Sequence, residues 1–312
     1  MSSKTVHDKN GKEISPGDHV TIKVRGGHHE GTVGKIVHTE AEAKQEDVKH
    51  PPKVIYEDQH GHRVSHNPES LEKLDNLTNF QLCFVPIIVM RFLVLGATGA
   101  SGILLVRKAL ELYPDSTVVI YARSPDKVPE DLKNNASVSI IKGTLEDLNT
   151  AETAVQGVDV VLSALGPLVK WYGTNHPSGN PIATFYGHLI DLMNKHGVKR
   201  FLFLSTASSK DPNDKHSLKF ASLVEGVKLF AKNAYTDIVA MGETVRTKGG
   251  NIEWTMVRVP VLTNADTEAV AAGYIGDDQV GVTLSRKAFA AFVLGEVEKR
   301  EWIQKAPMIS DP

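Results

Sequence analysis

The residues with the clearest chemical meaning are three glycines, Gly96, Gly99 and Gly102, in the segment RFLVLGATGASG. An apolar run precedes them and a helical pattern of apolar residues follows. The first glycine permits a tight turn from strand to helix, the second lets the backbone approach a diphosphate, and the third lets the helix pack against the strand. Free N–H groups at the start of the helix can then bind the diphosphate. Against the alternative of a turn without a ligand, the pattern predicts a dinucleotide site made of Gly96, Ala97, Thr98, Gly99, Ala100, Ser101 and Gly102.

A cationic segment follows the next predicted strand. Arg123 comes 21 residues after Gly102, at the place where an acidic residue would bind the ribose 2′-hydroxyl of NAD. A guanidinium there stacks on adenine and pairs with the 2′-phosphate of NADP, and Ser124 and Lys127 offer further donors. The alternative is a solvated surface arginine. We therefore expect NADP(H) as the cofactor.

Six apolar, strand-like segments alternate with helical patterns from residue 91 onward, and this alternation must position the glycines and the cations. The segments are 91–95, 117–122, 137–142, 158–164, 199–204 and 252–259. Strands that alternate with helices form a parallel sheet with right-handed crossovers. We expect an α/β fold, a Rossmann doubly wound parallel sheet whose strand carboxyl ends line one ligand-binding edge.

The first 78 residues differ in composition from the rest of the chain. Nine of the thirteen histidines lie in residues 1–79, which hold no Trp or Phe. Short alternating runs at 20–24, 32–37, 53–57 and 62–65 predict strands, and the charged segment 39–50 is expected to be a solvated loop. We expect a small all-β SH3/Tudor-like barrel over 1–78, a linker over 79–89 and an NAD(P)-binding Rossmann domain over 90–312.

The histidines of this first module could bind a metal, because His60 and His62 would share one strand face. No carboxylate or cysteine spacing completes such a site, so we expect solvated surface histidines and no metal. A methyl-lysine cage needs several aromatic rings, and Tyr56 is the one aromatic residue of Phe, Trp or Tyr type in residues 1–79. We expect either an interaction module that binds a protein partner or a spacer.

The composition excludes several classes of partner. The net charge is −2, which favours neither nucleic acid nor an anionic membrane surface. The apolar segment 80–95 is interrupted by Pro86 and Arg91, so it is too short to span a bilayer. A single cysteine, Cys83, excludes an internal disulfide, and the first residues contain no apolar signal segment. We expect a cytoplasmic protein that binds neither nucleic acid nor membrane.

Residues 90–312 resemble the atypical short-chain dehydrogenase/reductase group, which includes NmrA-like proteins and the biliverdin IXβ/flavin reductases. The shared segments are LGATGASG (95–102), YARSPDKVP (121–129), KGTLED (142–147), VVLSALG (160–166), MNKHGVKRFLFLSTAS (193–208) and IEWTMVRVPVL (252–262). Residues 12–75 resemble the fungal hypervirulence-associated TUDOR domain. The first resemblance implies further cofactor contacts, namely Gly143, Thr144 and Leu145 near the adenine and Ala164, Leu165 and Gly166 near the ribose and nicotinamide. It also implies a nicotinamide-side hydroxyl, so Ser205 and Thr206 are the candidate catalytic residues.

One departure from the family affects the mechanism. Orthodox short-chain dehydrogenases use a Tyr-x-x-x-Lys pair, in which the lysine lowers the pKa of the tyrosine so that the phenol can exchange a proton. None of the seven tyrosines in this chain is followed by Lys four residues later. The ordinary carbonyl-reductase mechanism therefore has no local support in the sequence.

Two interpretations remain open. In the first, the protein is an NADPH-dependent oxidoreductase that transfers hydride to a flat conjugated acceptor of flavin, quinone or bilin type, and water supplies the proton. Residues 167–172 would form an apolar wall for the acceptor, and Tyr172 and His176 are the nearby candidate proton donors. In the second, the protein binds NADP(H) without turnover, as NmrA-like regulators do, and reports the redox state to a partner.

Overall fold

A computed structural model of the chain describes residues 5–24, 27–58, 61–74, 89–167, 169–170 and 173–312. The chain divides into two compact units, Met1–Val85 and Pro86–Pro312. Most of the predicted linker, Cys83 and His60 lie outside the described residues, as do Trp171 and Tyr172 of the predicted apolar wall. Each unit has its own apolar core.

The first unit contains short strands that pair in antiparallel fashion. They are β1 (Val6–His7), β2 (Glu13–Ile14), β3 (His19–Val24), β4 (Gly27–Val37), β5 (Lys53–Glu57), β6 (Arg63–His66) and β7 (Glu72–Lys73). β1 pairs with β2, and the other five form a sheet in the order β6-β5-β4-β3-β7. Val20, Val33, Val54 and Leu71 pack in its core. The four predicted strands correspond to β3, β4, β5 and β6, and β4 is the one that extends well beyond its prediction.

The prediction of a solvated loop over 39–50 is wrong in part, because helix α1 (Glu40–Gln45) lies there. Thr39 and Glu42 form a capping box, in which the Glu42 amide donates to Thr39 Oγ1 at 3.3 Å and the Thr39 amide donates to the Glu42 carboxylate at 3.2 Å. Ala43 of this helix is buried against Val37 and Ile55. The capping pair and one buried alanine are enough to turn a charged segment into a helix.

The second unit alternates strands with helices. Its strands are β8 (Arg91–Leu95), β9 (Thr117–Ala122), β10 (Val138–Lys142), β11 (Val160–Ser163), β12 (Val169–Lys170), β13 (Gly173–Thr174), β14 (Arg200–Thr206), β15 (Glu253–Val259), β16 (Val261–Thr263), β17 (Ala271–Gly273), β18 (Thr283–Ser285) and β19 (Met308–Ser310). Its helices are α2 (Ala100–Leu112), α3 (Glu130–Lys133), α4 (Leu148–Val155), α5 (Pro181–Lys195), α6 (Leu218–Phe230), α7 (Lys232–Lys248) and α8 (Arg286–Lys299).

The central sheet has the order β10-β9-β8-β11-β14-β15-β19-β17. The six predicted strands are parallel to one another, β19 joins them parallel to β15, and β17 pairs antiparallel with β19. Sequence reasoning did not predict β17 or β19. β8 and β11 are neighbours in the sheet, but the chain continues from β8 to β9 on one side and from β11 to β14 on the other. In open α/β sheets, ligands bind outside the strand carboxyl ends at the point where the strand order reverses in this way. The expected doubly wound fold is confirmed.

Alternate residues of the central strands enter two apolar cores, one on each face of the sheet. Val94 packs with Leu105 of α2 and Phe289 of α8 on one face. Leu93 packs with Tyr186 of α5 and Met241 of α7 on the other. Burial on both faces is what a parallel sheet between helix layers requires. Among the described helices, none has the length and apolar character needed to cross a membrane.

Candidate functional site

The turn after β8 holds the glycine loop close to the end of β11. Gly96 has a φ of +79°, a conformation that side chains rarely adopt, and a Cβ at this position would lie 2.8 Å from the carbonyl carbon of Ala164. The Gly99 amide donates to the Gly96 carbonyl at 3.0 Å. A Cβ on Gly102 would overlap the backbone of Gly96, so α2 packs against the turn only because residue 102 is glycine. The roles assigned to Gly96 and Gly102 thus have a steric reason in the structure.

The start of α2 presents backbone donors to solvent. Gly99 is its N-cap residue and has no side chain to cap the helix, and the first turn contains no acidic residue. Gly99 and Ala100 are exposed, Thr98 is half-buried, and Ala97 and Ser101 are buried. The first N–H groups of a helix have no partner within the helix and carry the positive end of its dipole. This loop therefore has the uncapped backbone donors that an anionic group such as a diphosphate needs.

The end of β9 carries cations without counterions. Arg123 and Lys127 are exposed, and neither side chain makes an ion pair or hydrogen bond to any other residue that the structure describes. Ser124 is half-buried, and its carbonyl accepts from the Lys127 amide at 3.1 Å. This bond closes the turn that keeps both cations at the end of β9. The two charges are available to an anionic ligand.

The segment after β10 is fixed by a buried phenol. Tyr121 Oη donates to the Thr144 carbonyl at 2.6 Å, and the ring packs so closely on Gly143 that a Cβ there would overlap it. Burial, together with the charges of Asp147 and Glu146, raises the pKa of Tyr121 to about 12. Thr144 is exposed and Leu145 is half-buried. The structure thus brings residues 143–145 beside the end of β9, since the Gly143 amide donates to the Ala122 carbonyl at 3.2 Å.

The end of β11 is held by Ser163 and Tyr186. The buried Tyr186 Oη donates to Ser163 Oγ at 2.7 Å, and Ser163 Oγ accepts from the Leu165 amide at 3.2 Å. Burial raises the pKa of Tyr186, so its phenol remains protonated. Ala164 and Leu165 are half-buried and Gly166 is exposed. This arrangement places residues 164–166 next to the glycine loop, as the close approach of Ala164 to Gly96 shows.

The two candidate catalytic hydroxyls differ in their surroundings. Ser205 is fully buried, and its Oγ has no hydrogen-bond partner among the described residues. Thr206 is half-buried, and its Oγ1 accepts from the Ser208 amide at 3.2 Å. Both lie at the carboxyl end of β14, which pairs with β11. Their catalytic role stays a prediction.

His176, the candidate proton donor, is engaged by a buried carboxylate. Its Nε2 lies 2.6 Å from Asp237 Oδ2, and Asp237 is fully buried. The same carboxylate accepts from the amides of Ile182 at 3.1 Å and Ala183 at 2.9 Å, so it caps α5 from α7. Sequence reasoning missed Asp237, because it lies 61 residues from His176 and no local pattern marks it as a cap.

An ion pair between a buried arginine and a half-buried aspartate secures the loop after β14. Arg258 is fully buried and donates to both carboxylate oxygens of Asp214, at 2.6 and 2.8 Å. Burial would raise the pKa of Asp214, but Arg258 and the amides of Asp211 and Ile275 lower it below its usual value. Sequence reasoning missed this pair as well. The one signal for this pair in the sequence was a charged residue, Arg258, within the mostly apolar β15.

Comparison with known proteins agrees with this geometry. The family described as NAD(P)H-binding matches residues 96–300. The TUDOR domain of hypervirulence associated proteins matches residues 17–71. Both matches confirm the resemblances inferred from the sequence.

Similar solved structures share the fold of the second unit. One is a short-chain dehydrogenase/reductase from Veillonella parvula, with 14% identity over 72% of this chain and 95% of that chain and a TM-score of 0.58. Another from the same organism, in complex with NADP, has 15% identity over 72% and 95% and a TM-score of 0.55. An oxidoreductase from Lactococcus lactis has 19% identity over 72% and 91% and a TM-score of 0.55. At such identities the similarity establishes the fold alone.

Proposed function

Because the chain belongs to the NAD(P)H-binding family, we propose that it is an NADP(H)-dependent reductase that transfers hydride to a flat conjugated acceptor. The amides at the start of α2 bind the diphosphate, and residues 143–145 and 164–166 line the adenine and nicotinamide ends. When bound, the cofactor supplies the hydride. The protein supplies alignment and keeps the diphosphate on fixed backbone donors.

The preference for NADP(H) over NAD(H) rests on the charges at the end of β9. A 2′-phosphate needs positive donors that are not already neutralised, and Arg123 and Lys127 have no partner in the described part of the chain. An acidic side chain at this place would instead favour the plain ribose.

The choice of acceptor rests on one observation: Ser205 Oγ has no hydrogen-bond partner among the described residues. A relay of the Tyr-x-x-x-Lys type would need a phenol whose pKa a neighbouring ammonium lowers. The phenol of Tyr186 contacts Ser163, but burial raises its pKa, and His176 is held by Asp237. An acceptor of flavin, quinone or bilin type accepts hydride into a conjugated system and takes its proton from water. Such an acceptor suits a site whose described residues form no relay of this kind.

The test is the oxidation of NADPH, followed by its absorbance, with flavin, quinones and dichlorophenolindophenol as acceptors. We expect acceptor-dependent oxidation that is faster with NADPH than with NADH. Calorimetry of NADPH binding on the same preparation is the control. Tight binding without oxidation by any acceptor would contradict the reductase and favour a non-catalytic NADP(H)-sensing protein.

The variant Ser205→Ala tests whether the Ser205 hydroxyl orients the cofactor or transfers a proton. General acid–base groups contribute about 10²- to 10⁴-fold to rate. We expect Ser205→Ala to lower kcat by less than about tenfold, and Ser222→Ala, which alters an exposed serine on α6, to leave it unchanged. A loss of about 100-fold or more in Ser205→Ala, with NADPH affinity intact, would show that the hydroxyl takes part in proton transfer. Ser205→Ala combined with Thr206→Val extends the test to the second hydroxyl.

A further inference from the structure

Three polar rings meet in the first unit, away from the cofactor residues in sequence. They are His29 of β4, Tyr56 of β5 and His66 of β6. The ring centroids of His29 and His66 are 5.8 Å apart, and those of Tyr56 and His66 are 5.9 Å apart. The strand register explains the second distance, since Tyr56 pairs with Val64 and His66 with Val54, two residues away on the same face.

Each of these side chains has a buried polar atom without a hydrogen-bond partner among the residues that the structure describes. The atoms are His29 Nδ1, Tyr56 Oη and His66 Nε2. Tyr56 is only 2% exposed, so water does not reach it freely. In the described residues six buried side-chain polar atoms lack a partner, and half of them belong to this cluster. An unsatisfied buried polar atom is costly, so a ligand that bonded to all three would be favoured here.

We propose that His29, Tyr56 and His66 form a binding site for a divalent transition metal ion of the Zn²⁺ and Cu²⁺ class. Imidazole nitrogens are common ligands of both ions, and a phenolate oxygen can complete the protein's share of the coordination. No group of three or more His, Cys, Asp or Glu able to hold a metal occurs in the described residues, so the tyrosine is essential to this site. Water would fill the remaining positions.

The spacing of the two imidazoles fits one ion between them. A Zn–N bond is about 2.0–2.1 Å, which places each ring centroid about 3.2 Å from the ion and allows two centroids at most about 6.4 Å apart. The observed 5.8 Å lies below this limit. Gly31 fixes the third ring, because a Cβ there would lie 2.8 Å from Tyr56 Cδ2.

Binding of the ion changes the protonation of this site. Metal ligands must be deprotonated: an imidazole binds through the lone pair of its neutral form, and a phenol binds as its phenolate. An ordinary tyrosine is protonated at neutral pH. Binding therefore releases one proton from the phenol to solvent as the oxygen–metal bond forms.

The experiment titrates the full-length protein with Zn²⁺ by calorimetry and with Cu²⁺ by visible absorbance. We expect one ion per chain, and with Cu²⁺ a phenolate-to-metal charge-transfer band. Outer-shell changes cost about 10- to 100-fold in metal affinity, so His29→Gln and His66→Gln should each weaken binding at least tenfold. Tyr56→Phe removes a single oxygen and keeps the packing, so it should abolish the band.

His38→Gln is the matched control, because it removes an exposed histidine of the same unit. It should bind like the wild type, and circular dichroism checks that each variant is folded. Absence of stoichiometric binding in the wild type would overturn the proposal. Equal affinity in folded His29→Gln and His66→Gln, or a charge-transfer band that persists in Tyr56→Phe, would overturn it too. None of these results depends on NADPH, so they are independent of the proposed reductase activity.

Discussion

Replacing Arg123 by Gln tests the cofactor preference directly. The guanidinium lies at the end of β9, exposed and without a partner in the described part of the chain, so its removal breaks no contact within the fold. The change should therefore leave stability unaltered and act on the ligand alone. If the guanidinium binds the 2′-phosphate, NADPH affinity falls while NADH affinity does not.

The size of the effect follows from the exposure of Arg123. Charge-assisted hydrogen bonds contribute roughly 10- to 100-fold to affinity where water is excluded. Arg123 is exposed, so solvent competes and the lower end applies, about tenfold. Lys127 remains in the single variant, and Arg123→Gln combined with Lys127→Gln should lose about another tenfold. The loss should grow as the salt concentration falls, since screening weakens exposed charges.

The assay is calorimetric titration of NADPH and NADH into the wild type, the single variant and the double variant. Arg107→Gln is the matched control, because Arg107 is an exposed arginine of α2 that is paired with Asp131 at 2.8 Å. It removes the same charge from the unit without touching the end of β9. An equal loss of NADPH and NADH affinity in Arg123→Gln, or an equal loss in Arg107→Gln, would refute the assignment of the 2′-phosphate contact.

Three further changes probe the frame of the site. Gly102→Ala should cost about 1–3 kcal/mol in unfolding free energy and weaken NADPH binding, since its Cβ would overlap the preceding turn. Asp214→Asn should cost about 3 kcal/mol at pH 7, measured by urea unfolding, because Arg258 stays buried without a countercharge. As the pKa of Asp214 is lowered by folding, this stabilisation is present above about pH 4 and is lost as the pH falls, so the variant should show a flatter acid limb. Tyr186→Phe removes the bond to Ser163 and should cost about 1 kcal/mol while NADPH oxidation persists.

Controls for these variants lie on the same unit. Gly250→Ala adds a methyl group where nothing lies within 4 Å, and it should change neither stability nor binding. Asp191→Asn removes an exposed ion pair with Lys248, which should cost well under about 1 kcal/mol. If Asp214→Asn were no more costly than Asp191→Asn, the pair of Arg258 and Asp214 would not be holding the loop after β14. If NADPH oxidation collapsed in Tyr186→Phe, the buried phenol would be a proton donor.

Local patterns predicted most of the fold. The six parallel strands were visible because each is a short apolar run buried on both faces, and such runs differ sharply from the helices between them. Helix α1 escaped prediction, since its charged residues resemble a solvated loop and only the Thr39 and Glu42 capping pair marks its start. Strands β17 and β19 were not predicted, because each has only three residues and lies in the last part of the chain.

The sequence by itself predicted the residues that would meet the diphosphate and the adenosine end. Glycine at 102 is dictated by backbone contacts within one strand, turn and helix, glycine at 96 also by the positive φ of that turn, and the position of Arg123 follows from the length of that unit. Only the tertiary structure decided which groups are free to react. It joined His176 to Asp237, Arg258 to Asp214 and Tyr186 to Ser163, and it left Ser205 without a hydrogen-bond partner in the described part of the chain. Such contacts connect residues 23 to 61 positions apart, and pairing over that distance depends on how elements pack, which no local pattern encodes.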